Sequence, residues 1–587
     1  MSKKLPRRDV VIVGFGWTGA IMAEQLTAEG LDVVALERGV WRDTSTDYAV
    51  TNAQDEVRYR YRDELFEVLS RESLTFRNNT SQDALPMRML GSFLPGTNVG
   101  GSGVHWNGQT WRFLPSDFQA RTHNEERYGP LPEDMTVQDW GITYDELEPY
   151  YTQFEDICGI AGKAGNLNGE IQEGGNPFEG RRSSEYPNPP MEMVLAPKLF
   201  AKAASELGHN PFPGPSANMS QPYTNPLGVQ LGPCTYCGFC EKYACGNYSK
   251  ATAATTILPV LMRRDNFELR TQAMVLRVLK TGDGRMADGV EYITPEGEVY
   301  HQPADIVILA AYITHNVHLM LVSDIGEPYD PRSGEGVVGK NYAYQVTSGV
   351  SVFFDKDVHI NPYVGAGALG MVIDEFNGDN FDHTGLGFIG GGYIATWQTN
   401  GRPMETHRVP EGTPKFGAGW KQAVRDNYNH SLGIGTHGAV MSYRGNYLDL
   451  DPTYKDAYGR PLMRMTFDFG DNEMKMSNFL TDRAVEIARA MNGREIRVAR
   501  RTRPYSIVPY QSTHNTGGTI MGDNPRDSVI NKYQQSWDLP NLFLTGAGAF
   551  PQNAGYNPTG TVGALAYHTA NAIRTQYLRS PGPLVQA

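Results

Sequence analysis

One segment near the start, residues 9–37, constrains the fold of this 587-residue chain more than any other. Four apolar residues, 10–13, lead into the turn GFGWTG, an amphipathic stretch follows over residues 20–28, and DVVALE closes the segment. A short apolar strand, a glycine turn, a helix and a second strand in this order predict a β-α-β unit. Such a unit belongs in a parallel sheet of the Rossmann type, covered by helices.

The glycines of this turn have the spacing of a dinucleotide-binding motif. Gly14, Gly16 and Gly19 fit GxGxxG between strand and helix, and Glu37 ends the second strand about 20 residues later. The first glycine permits the turn, the second lets the backbone approach a pyrophosphate, and the third lets helix and strand pack closely. Glu37 suits a free ribose hydroxyl and would repel a 2′-phosphate. The motif predicts a dinucleotide site without choosing between NAD and FAD; a structural glycine turn is the alternative.

The charge balance excludes several classes of partner. The chain has 52 basic and 65 acidic residues, a formal charge of −13, which works against binding nucleic acid or an anionic membrane surface.

No run of about 18 apolar residues is present, so no membrane-spanning helix is expected. The basic start MSKKLPRR flows into the glycine turn without a cleavage site, so no signal peptide is predicted either.

The length and the changing character of the chain predict two interleaved domains. We expect residues 1–160, 234–334 and 506–587 to form the dinucleotide-binding domain, which also carries the cysteine-rich loop 232–248. Residues 161–233, dense in Gly, Pro and Asn, are expected to be a loop-rich surface excursion. Residues 335–505, rich in β-type and aromatic residues, are expected to be an inserted substrate-binding domain.

Four of the five cysteines form the pattern CxxCxxCxxxxC: Cys234, Cys237, Cys240 and Cys245. The pattern is too compressed for the two halves of a zinc ribbon and lacks a second distant pair. Thiolates at this spacing suit an iron–sulfur cluster wrapped by a short loop. Structural zinc and disulfides are the alternatives, and the isolated Cys158 is expected to be a core thiol.

Motifs at both ends of the chain resemble those of the glucose-methanol-choline (GMC) oxidoreductase family of flavoproteins. After GxGxxG come, in the family's order, PGTNVGGSGVHWNG at 95–108, THNTGGTIMGDN at 513–524 and NLFLTGAGAFPQNAGYNPTGTVG at 541–563. The chain is most similar to flavoprotein large subunits of bacterial membrane-bound dehydrogenases of the gluconate 2-dehydrogenase type. One departure is VILAAYITHN at 307–316, where the wider family usually has a glycine-containing AAGA turn.

The resemblance implies FAD as the dinucleotide and an α/β fold, with a Rossmann-like FAD-binding domain and an interleaved α+β substrate-binding domain that carries a β-sheet. It implies His514 as general base and Asn557 as the group that orients the substrate oxygen; a loop histidine bound to backbone is the alternative. Pro558 is expected to open a helix whose positive end faces the flavin. The other residues that the resemblance implies at the cofactor are Gly100, Gly101, Ser102, Asn107, Val275, Gly546, Ala547, Asn557 and Thr559.

His105 lies in GGSGVHW, which resembles the GGxxxHW of flavoproteins whose histidine is bonded to the flavin 8α-methyl group. The resemblance implies a covalent histidyl-FAD; a noncovalent packing histidine is the alternative. Related chains also imply a 3Fe-4S cluster held by Cys234, Cys240 and Cys245, with Cys237 spare. A four-ligand cluster remains open because the loop differs in length.

The function implied is an FAD-dependent dehydrogenase that oxidises a secondary alcohol of a sugar acid or sugar, with D-gluconate to its 2-keto acid as the leading substrate. Electrons would pass through the iron–sulfur cluster to a multihaem cytochrome c subunit. A small subunit would carry the export signal, and partner subunits would hold the enzyme at the periplasmic face of the inner membrane. The alternatives are 2-ketogluconate, a polyol, a glucoside, fructose or glucose as substrate, a stand-alone oxidase with structural cysteines, and a flavin-binding scaffold.

Overall fold

A computed structural model describes most of the chain, namely residues 2–48, 65–67, 73–88, 93–399, 407–509 and 513–585. Its strands, numbered in chain order, are β1 (Lys3–Lys4), β2 (Arg8–Val13), β3 (Val33–Leu36), β4 (Leu74–Arg77), β5 (Leu85–Pro86), β6 (Asn166–Leu167), β7 (Glu170–Ile171), β8 (Phe212–Pro213), β9 (Tyr223–Thr224), β10 (Gln230–Leu231), β11 (Phe267–Arg270), β12 (Met274–Lys280), β13 (Ala287–Ile293), β14 (Val299–Leu309), β15 (Val346–Phe353), β16 (Gly370–Ile373), β17 (Gly392–Trp397), β18 (Ser431–Gly438), β19 (Tyr447–Lys455), β20 (Pro461–Thr466), β21 (Glu495–Ala499) and β22 (Leu542–Leu544).

The helices lie on the faces of these sheets and between them. They are α1 (Trp17–Ala28), α2 (Ala120–Tyr128), α3 (Tyr144–Cys158), α4 (Leu195–Glu206), α5 (Ala253–Thr256), α6 (Leu258–Leu261), α7 (Ile313–Val322), α8 (Gly417–Asn427), α9 (Asp471–Ala490) and α10 (Thr559–Ala572), with a π-helical turn over Ile573–Tyr577. Within the described ranges, no helix is both long enough and apolar enough to cross a lipid bilayer.

The first sheet is a Rossmann-type sheet. Its parallel core runs β11-β3-β2-β14, β22 lies parallel to β14, and β13 and β12 extend the sheet in antiparallel fashion. Val10–Ile12 and Val33–Ala35 are fully buried. Helix α1 covers one face of these strands, and the apolar cluster on that face extends to residues of α10. The predicted β-α-β unit and the α/β fold class are confirmed.

The second sheet is antiparallel and runs β21-β15-β18-β17-β16-β8. Helix α9 packs on β15 and β18, and α4 packs on β16 and β17, so the buried face of the sheet is covered by helices. A smaller sheet, β19-β20-β4-β5, joins residues 74–86 to residues 447–466 through the parallel pair β4 and β20.

The expected domain boundaries stay a prediction, but two segments cross them. Residues 161–233 are mostly loop and also contain β8, which pairs with β16 of the second sheet, and α4, which packs on that sheet. Strand β4 lies in the range expected for the first domain but pairs with β20, in the range expected for the second. Neither crossing has a signal in the local sequence, because both depend on contacts between segments hundreds of residues apart.

Candidate active site

A long cavity lies at the carboxyl ends of the parallel strands, where ligands bind in open α/β sheets. It encloses about 1350 Å³, its mouth included. Four of its wall residues directly follow strands: Gly14 after β2, Glu37 after β3, Ala310 after β14 and Thr545 after β22. Because parallel strands end at the same edge, the sheet brings together segments from both ends of the chain.

The glycine turn has the geometry that a bound pyrophosphate requires. Gly14 has φ +93°, and a Cβ there would lie 2.6 Å from the carbonyl oxygen of Ala310. A Cβ at Gly16 would meet nothing within 4 Å, because Gly16 faces the cavity. A Cβ at Gly19 would lie 2.1 Å from the carbonyl oxygen of Gly14, so this glycine serves helix–strand packing and does not line the cavity. The turn therefore leaves free space at the N-terminus of α1.

Glu37 ties the turn to the end of β3. Its buried carboxylate accepts hydrogen bonds from the backbone N–H of Phe15 at 2.9 Å and of Gly39 at 2.7 Å. Burial raises the pKa of Glu37, while these two N–H donors act against that rise. The side chain lines the cavity, and an ionised carboxylate has further acceptor sites that a ribose hydroxyl could use.

The second glycine loop packs against the first. A Cβ at Gly101 would lie 3.2 Å from the Cα of Gly16, and the Ser102 hydroxyl accepts a hydrogen bond from the N–H of Gly96 at 2.9 Å. Both residues line the cavity, whereas Gly100 shapes the turn at φ +100° from outside it. Trp17 also lines the cavity, and its buried indole N–H has no hydrogen-bond partner. This unused donor and the open space at Gly16 fit a dinucleotide with polar groups at this point.

The far wall of the cavity is built from the last quarter of the chain. Helix α10 begins at Thr559 with Pro558 as its N-cap, so its free N–H groups and positive dipole end face the cavity. Of the cofactor residues expected from the sequence, the structure also places Gly546, Ala547, Pro558 and Thr559 on this wall, and Val275 elsewhere in the lining of the same cavity.

Tyr312 occupies the place where a glycine was expected in the AAGA turn. It has φ +73°, a left-handed conformation that is uncommon for a residue with a side chain. Its hydroxyl donates to the carbonyl oxygen of Thr513 at 3.1 Å and accepts a hydrogen bond from the side-chain amide of Asn515 at 2.5 Å. Thr513 and Asn515 flank His514, so Tyr312 ties the loop of that histidine to the end of β14.

A second cavity, of about 1300 Å³, opens on the other side of this loop and is bounded by the second sheet. His514, Thr513, Trp106 and Thr559 line both cavities and mark their junction. The expected catalytic pair is at this point: Nδ2 of Asn557 lies 3.1 Å from Nε2 of His514. At this distance the two groups are hydrogen-bonded to each other, and a substrate hydroxyl would replace that bond by donating to Nε2 of His514 and accepting from Nδ2 of Asn557.

The amide of Asn557 has only one orientation that satisfies its neighbours. Its Oδ1 accepts hydrogen bonds from the indole N–H of Trp111 at 3.0 Å and the hydroxyl of Tyr393 at 3.1 Å. The NH2 group must therefore face His514. Trp111 and Tyr393 also stack on each other, with ring centroids 5.2 Å apart, so two packed aromatic rings hold the amide in place.

The tautomer of His514 is set in the same way by Gln345. The NH2 group of Gln345 donates to the carbonyl oxygens of Tyr556 at 2.5 Å and Ala554 at 2.8 Å. Its Oε1 is thus the atom that faces Nδ1 of His514, at 2.5 Å. Because Oε1 only accepts, Nδ1 carries the hydrogen and Nε2 keeps its lone pair. The histidine presents its basic nitrogen to Asn557 and the second cavity.

His437 is a second histidine in the same cavity. Its ring centroid lies 5.1 Å from that of His514, and burial lowers its pKa to about 3. Burial also holds the pKa of His514 well below the usual value, and His437 lowers it further. Both rings are therefore neutral near pH 7, which is the state a general base requires.

His105 and Asn107 line the second cavity and not the first. Asn107 accepts a hydrogen bond from the N–H of Gln109 at 3.1 Å. The Nε2 of His105 lies 2.9 Å from the carbonyl oxygen of Leu94, while its buried Nδ1 has no hydrogen-bond partner within the described ranges. Burial lowers the pKa of His105 to about 3. Its unpartnered Nδ1 is the ring nitrogen left for a further bond.

The four clustered cysteines lie on a partly buried loop beside His105, and of the four only Cys240 is fully buried. Each is a free thiol, and burial raises the pKa of Cys240 to about 12. The side-chain amide of Asn218 lies 3.5 Å from Sγ of Cys240 and 4.0 Å from Sγ of Cys234, and the Cys245 sulfur lies 3.4 Å from the Ser249 hydroxyl. In the described chain, no three His, Cys, Asp or Glu side chains stand ready to hold one metal ion. Cys158, as expected, is a fully buried thiol elsewhere.

A buried lysine closes this cysteine loop. The ammonium group of Lys250 donates to the carbonyl oxygens of Trp106 at 2.7 Å, Tyr243 at 2.8 Å and Cys240 at 2.9 Å. Lys250 has no exposed surface, and burial lowers its pKa, whereas negative charge on Cys240, Cys245 and Cys237 would raise it. A thiolate set would therefore supply the negative charge that favours a buried ammonium here.

Sequence reasoning missed several residues of the site. Gln345 carries no local signal, because its contact with His514 spans 169 positions. Trp111 and Tyr393 resemble ordinary core residues in sequence, and Lys250 resembles an ordinary surface residue. His437 lies in no recognised motif, and only its register opposite Tyr393 and Thr347 in the second sheet reveals its place.

Comparisons with known proteins agree with this geometry. Two family models, both described as GMC oxidoreductase, match residues 217–347 and 442–566. The gluconate 2-dehydrogenase flavoprotein of Pantoea cypripedii is 49% identical over 100% of this chain and 97% of its own. The fructose dehydrogenase large subunit of Gluconobacter japonicus is 26% identical over 98% of this chain and 99% of its own.

Solved structures share the fold. A formate oxidase of Aspergillus oryzae matches with a TM-score of 0.59 at 15% identity, over 98% of this chain and 99% of its own. The full-length match at 49% identity, together with the two family models, decides the classification. This chain belongs to the GMC oxidoreductase family, the FAD-dependent oxidoreductases that act on CH–OH donors.

Proposed function

We propose that this protein is a dehydrogenase that oxidises a secondary alcohol of a sugar acid, with D-gluconate as substrate and 2-keto-D-gluconate as product. The observation that carries the proposal is the pair of His514 Nε2 and Asn557 Nδ2, 3.1 Å apart at the junction of the two cavities. The name of the 49% identical relative supports gluconate over other substrates.

The residues of the chain divide the work of alcohol oxidation. Nε2 of His514 accepts the hydroxyl proton, and Asn557 donates a hydrogen bond to the same oxygen and fixes its position. Gln345 keeps the histidine in the required tautomer, and Trp111 and Tyr393 keep the amide turned towards it. Bound FAD supplies the acceptor for the hydride that leaves the carbon. The glycine turn, Glu37 and the start of α10 would hold that cofactor.

A covalent link to FAD through His105 is part of the proposal. The supporting observation is the buried Nδ1 of His105, which has no hydrogen-bond partner among the residues that the structure describes. Acid precipitation tests the link: flavin in the pellet supports it, and flavin left in the supernatant rejects it. His105→Ala holoprotein that releases its flavin under the same conditions would identify the attachment residue.

We also propose that the cysteine loop holds an iron–sulfur cluster, of the 3Fe-4S type, which passes electrons onward one at a time. Four thiols on one short loop, the Asn218 amide near two of the sulfurs, and the buried ammonium of Lys250 held by three backbone carbonyls support a negatively charged thiolate cluster. Cys234, Cys240 and Cys245 would be its ligands, with Cys237 spare.

Partner subunits complete the proposal. A cluster that releases single electrons suits a cytochrome c as acceptor, and the fructose dehydrogenase relative is named a large subunit, which supports an assembly of several chains. We propose a small subunit that carries the export signal, a multihaem cytochrome c subunit, and a periplasmic location at the inner membrane through these partners.

A panel of D-gluconate, 2-keto-D-gluconate, D-glucose, D-fructose and D-sorbitol, scored by anaerobic bleaching of the flavin, tests the substrate. The proposal expects the fastest bleaching with D-gluconate, and bleaching by neutral sugars alone would reject it. Reduction of a one-electron dye, compared with oxygen uptake, separates a dehydrogenase from a stand-alone oxidase. A dehydrogenase reduces the dye much faster than it consumes oxygen.

A further inference from the structure

Arg501 is a cationic side chain on the wall of the second cavity. It follows β21 and is only partly exposed. Its Nε donates to the backbone carbonyl of Thr347 at 3.0 Å, and its Nη2 donates to the hydroxyl of the same residue at 2.8 Å. The guanidinium carbon also lies 5.5 Å from the ring centroid of Phe469. The guanidinium is therefore held in one orientation before any substrate arrives.

Thr347, which binds Arg501, belongs to a row of side chains that ends at the catalytic pair. In the second sheet Thr347 on β15 lies opposite His437 on β18, and His437 lies opposite Tyr393 on β17. Residues directly opposite each other on neighbouring strands share one face of a sheet, and all three line the cavity. Tyr393 bonds the amide of Asn557 at 3.1 Å. A single row of side chains thus leads from the guanidinium to the reacting atoms.

The middle of this row has an unused polar atom. His437 is 7% exposed, and its buried Nδ1 has no hydrogen-bond partner in the described part of the chain. A neutral imidazole nitrogen on a ring 5.1 Å from that of His514 suits a hydroxyl group of a polyol chain. The cavity therefore offers a cation for a carboxylate, a base for the hydroxyl next to it, and a nitrogen at His437 for a hydroxyl farther along the chain.

The charges on the cavity wall are distributed unequally. Arg501 stands on the side of the second sheet, whereas the carboxylate of Glu241 lines the same cavity from the cysteine loop. The three histidines of the cavity, His105, His437 and His514, have lowered pKa values and carry no charge near pH 7. A substrate carboxylate would be attracted towards Arg501 and repelled from Glu241.

From this arrangement we propose that Arg501 is the carboxylate-binding residue that selects hydroxy acids of the aldonate class over neutral sugars and polyols. The inference rests on the proposed function, because it assigns the acid end of the substrate to a particular side chain. Because the oxidised carbon, C2, is bonded to the carboxylate carbon, Arg501 binds the carboxylate through its guanidinium while the adjacent C2 hydroxyl lies at His514 and Asn557, and His437 binds a hydroxyl farther along the chain.

The test compares D-gluconate with D-gluconamide, which has the same carbon chain and no charge. Holoenzyme variants Arg501→Met and Arg501→Lys are measured for kcat/KM with both compounds, or for the Ki of D-gluconamide against D-gluconate where its turnover is slow. Arg500→Met is the matched control, because Arg500 pairs with Asp482 at 2.5 Å on an exposed surface and does not line the cavity.

We expect the wild type to prefer D-gluconate, and Arg501→Met to lower kcat/KM for D-gluconate about 10- to 100-fold, chiefly through KM. The kcat/KM for D-gluconamide should change less than about 3-fold in Arg501→Met. Arg501→Lys should retain part of the preference for D-gluconate over D-gluconamide, and Arg500→Met should have the same kcat/KM values as the wild type. Equal losses for both compounds, or no loss for D-gluconate, would overturn the inference.

The role of Arg501 and the proposed substrate are contradicted by different results. If the wild type oxidises D-gluconate but Arg501→Met leaves its KM unchanged, only the role of Arg501 is lost. If the wild type oxidises neutral sugars and no aldonate, the proposed substrate and the role of Arg501 fall together, although the FAD-dependent chemistry stands.

Discussion

Oε1 of Gln345 lies 2.5 Å from Nδ1 of His514, while the NH2 group of Gln345 is bound by two backbone carbonyls. A fully buried amide thus decides which nitrogen of the histidine can take a proton. The base at the junction of the two cavities depends on a residue that touches neither the substrate cavity nor the cofactor cavity. Gln345 is a positioning residue, and its role can be separated from that of the base.

Replacing Gln345 by Met should lower the rate of flavin reduction by D-gluconate about 100-fold, because the tautomer of His514 is no longer fixed. Gln345→Glu should act differently: a carboxylate beside Nδ1 stabilises the protonated ring and raises the pKa of His514. The acid limb of the kcat/KM profile of Gln345→Glu should therefore move to higher pH. Identical pH profiles for Gln345→Glu and the wild type would contradict the role of Gln345 in fixing the tautomer of His514.

The lowered pKa of His514 sets the pH dependence of the wild type. A base works while it is deprotonated, and burial beside His437 keeps His514 deprotonated to below the usual histidine pKa of about 6.5. Activity should be lost only as the pH falls through this lowered value, so the acid limb of kcat/KM lies below pH 6.5. A limb at or above pH 6.5 in the wild type would contradict the burial of the base.

Tyr312 should support the loop of His514 through its hydroxyl. Tyr312→Phe keeps the ring but removes the bonds to Thr513 and Asn515, so we expect flavin reduction to slow about 10-fold with FAD still bound. Tyr329→Phe is a suitable control, because its hydroxyl donates to one carbonyl, that of Arg444, away from both cavities. Equal rates of flavin reduction in Tyr312→Phe and Tyr329→Phe would contradict the role of Tyr312 in supporting the His514 loop.

The sequence predicts those parts of the molecule that depend on local pattern. The β-α-β unit over residues 9–37 has its apolar strands and glycine spacing within thirty positions, and the structure has the same elements. The motif resemblance extends this prediction to His514 and Asn557, which lie next to each other as expected. Contacts such as Gln345 with His514, or β4 with β20, have no local pattern, since they join segments separated by 169 and several hundred positions.

The cysteine loop gives a prediction that does not depend on turnover. Cys240→Ser and Cys234→Ser should lose iron and the EPR signal of the purified protein, while Cys237→Ser should keep both. Cys158→Ala, which changes a buried thiol outside the loop, is the control and should keep its iron. Zinc without iron in the wild type, or iron retained in all four variants, would exclude the proposed cluster.

The rate of anaerobic flavin reduction by D-gluconate, measured in a single turnover for wild type and His514→Ala, tests the central claim most directly. With FAD bound in both proteins, the account predicts a rate at least about 100-fold lower in His514→Ala, because the hydroxyl proton has no acceptor. Comparable rates in the two proteins would contradict the assignment of His514 as the base.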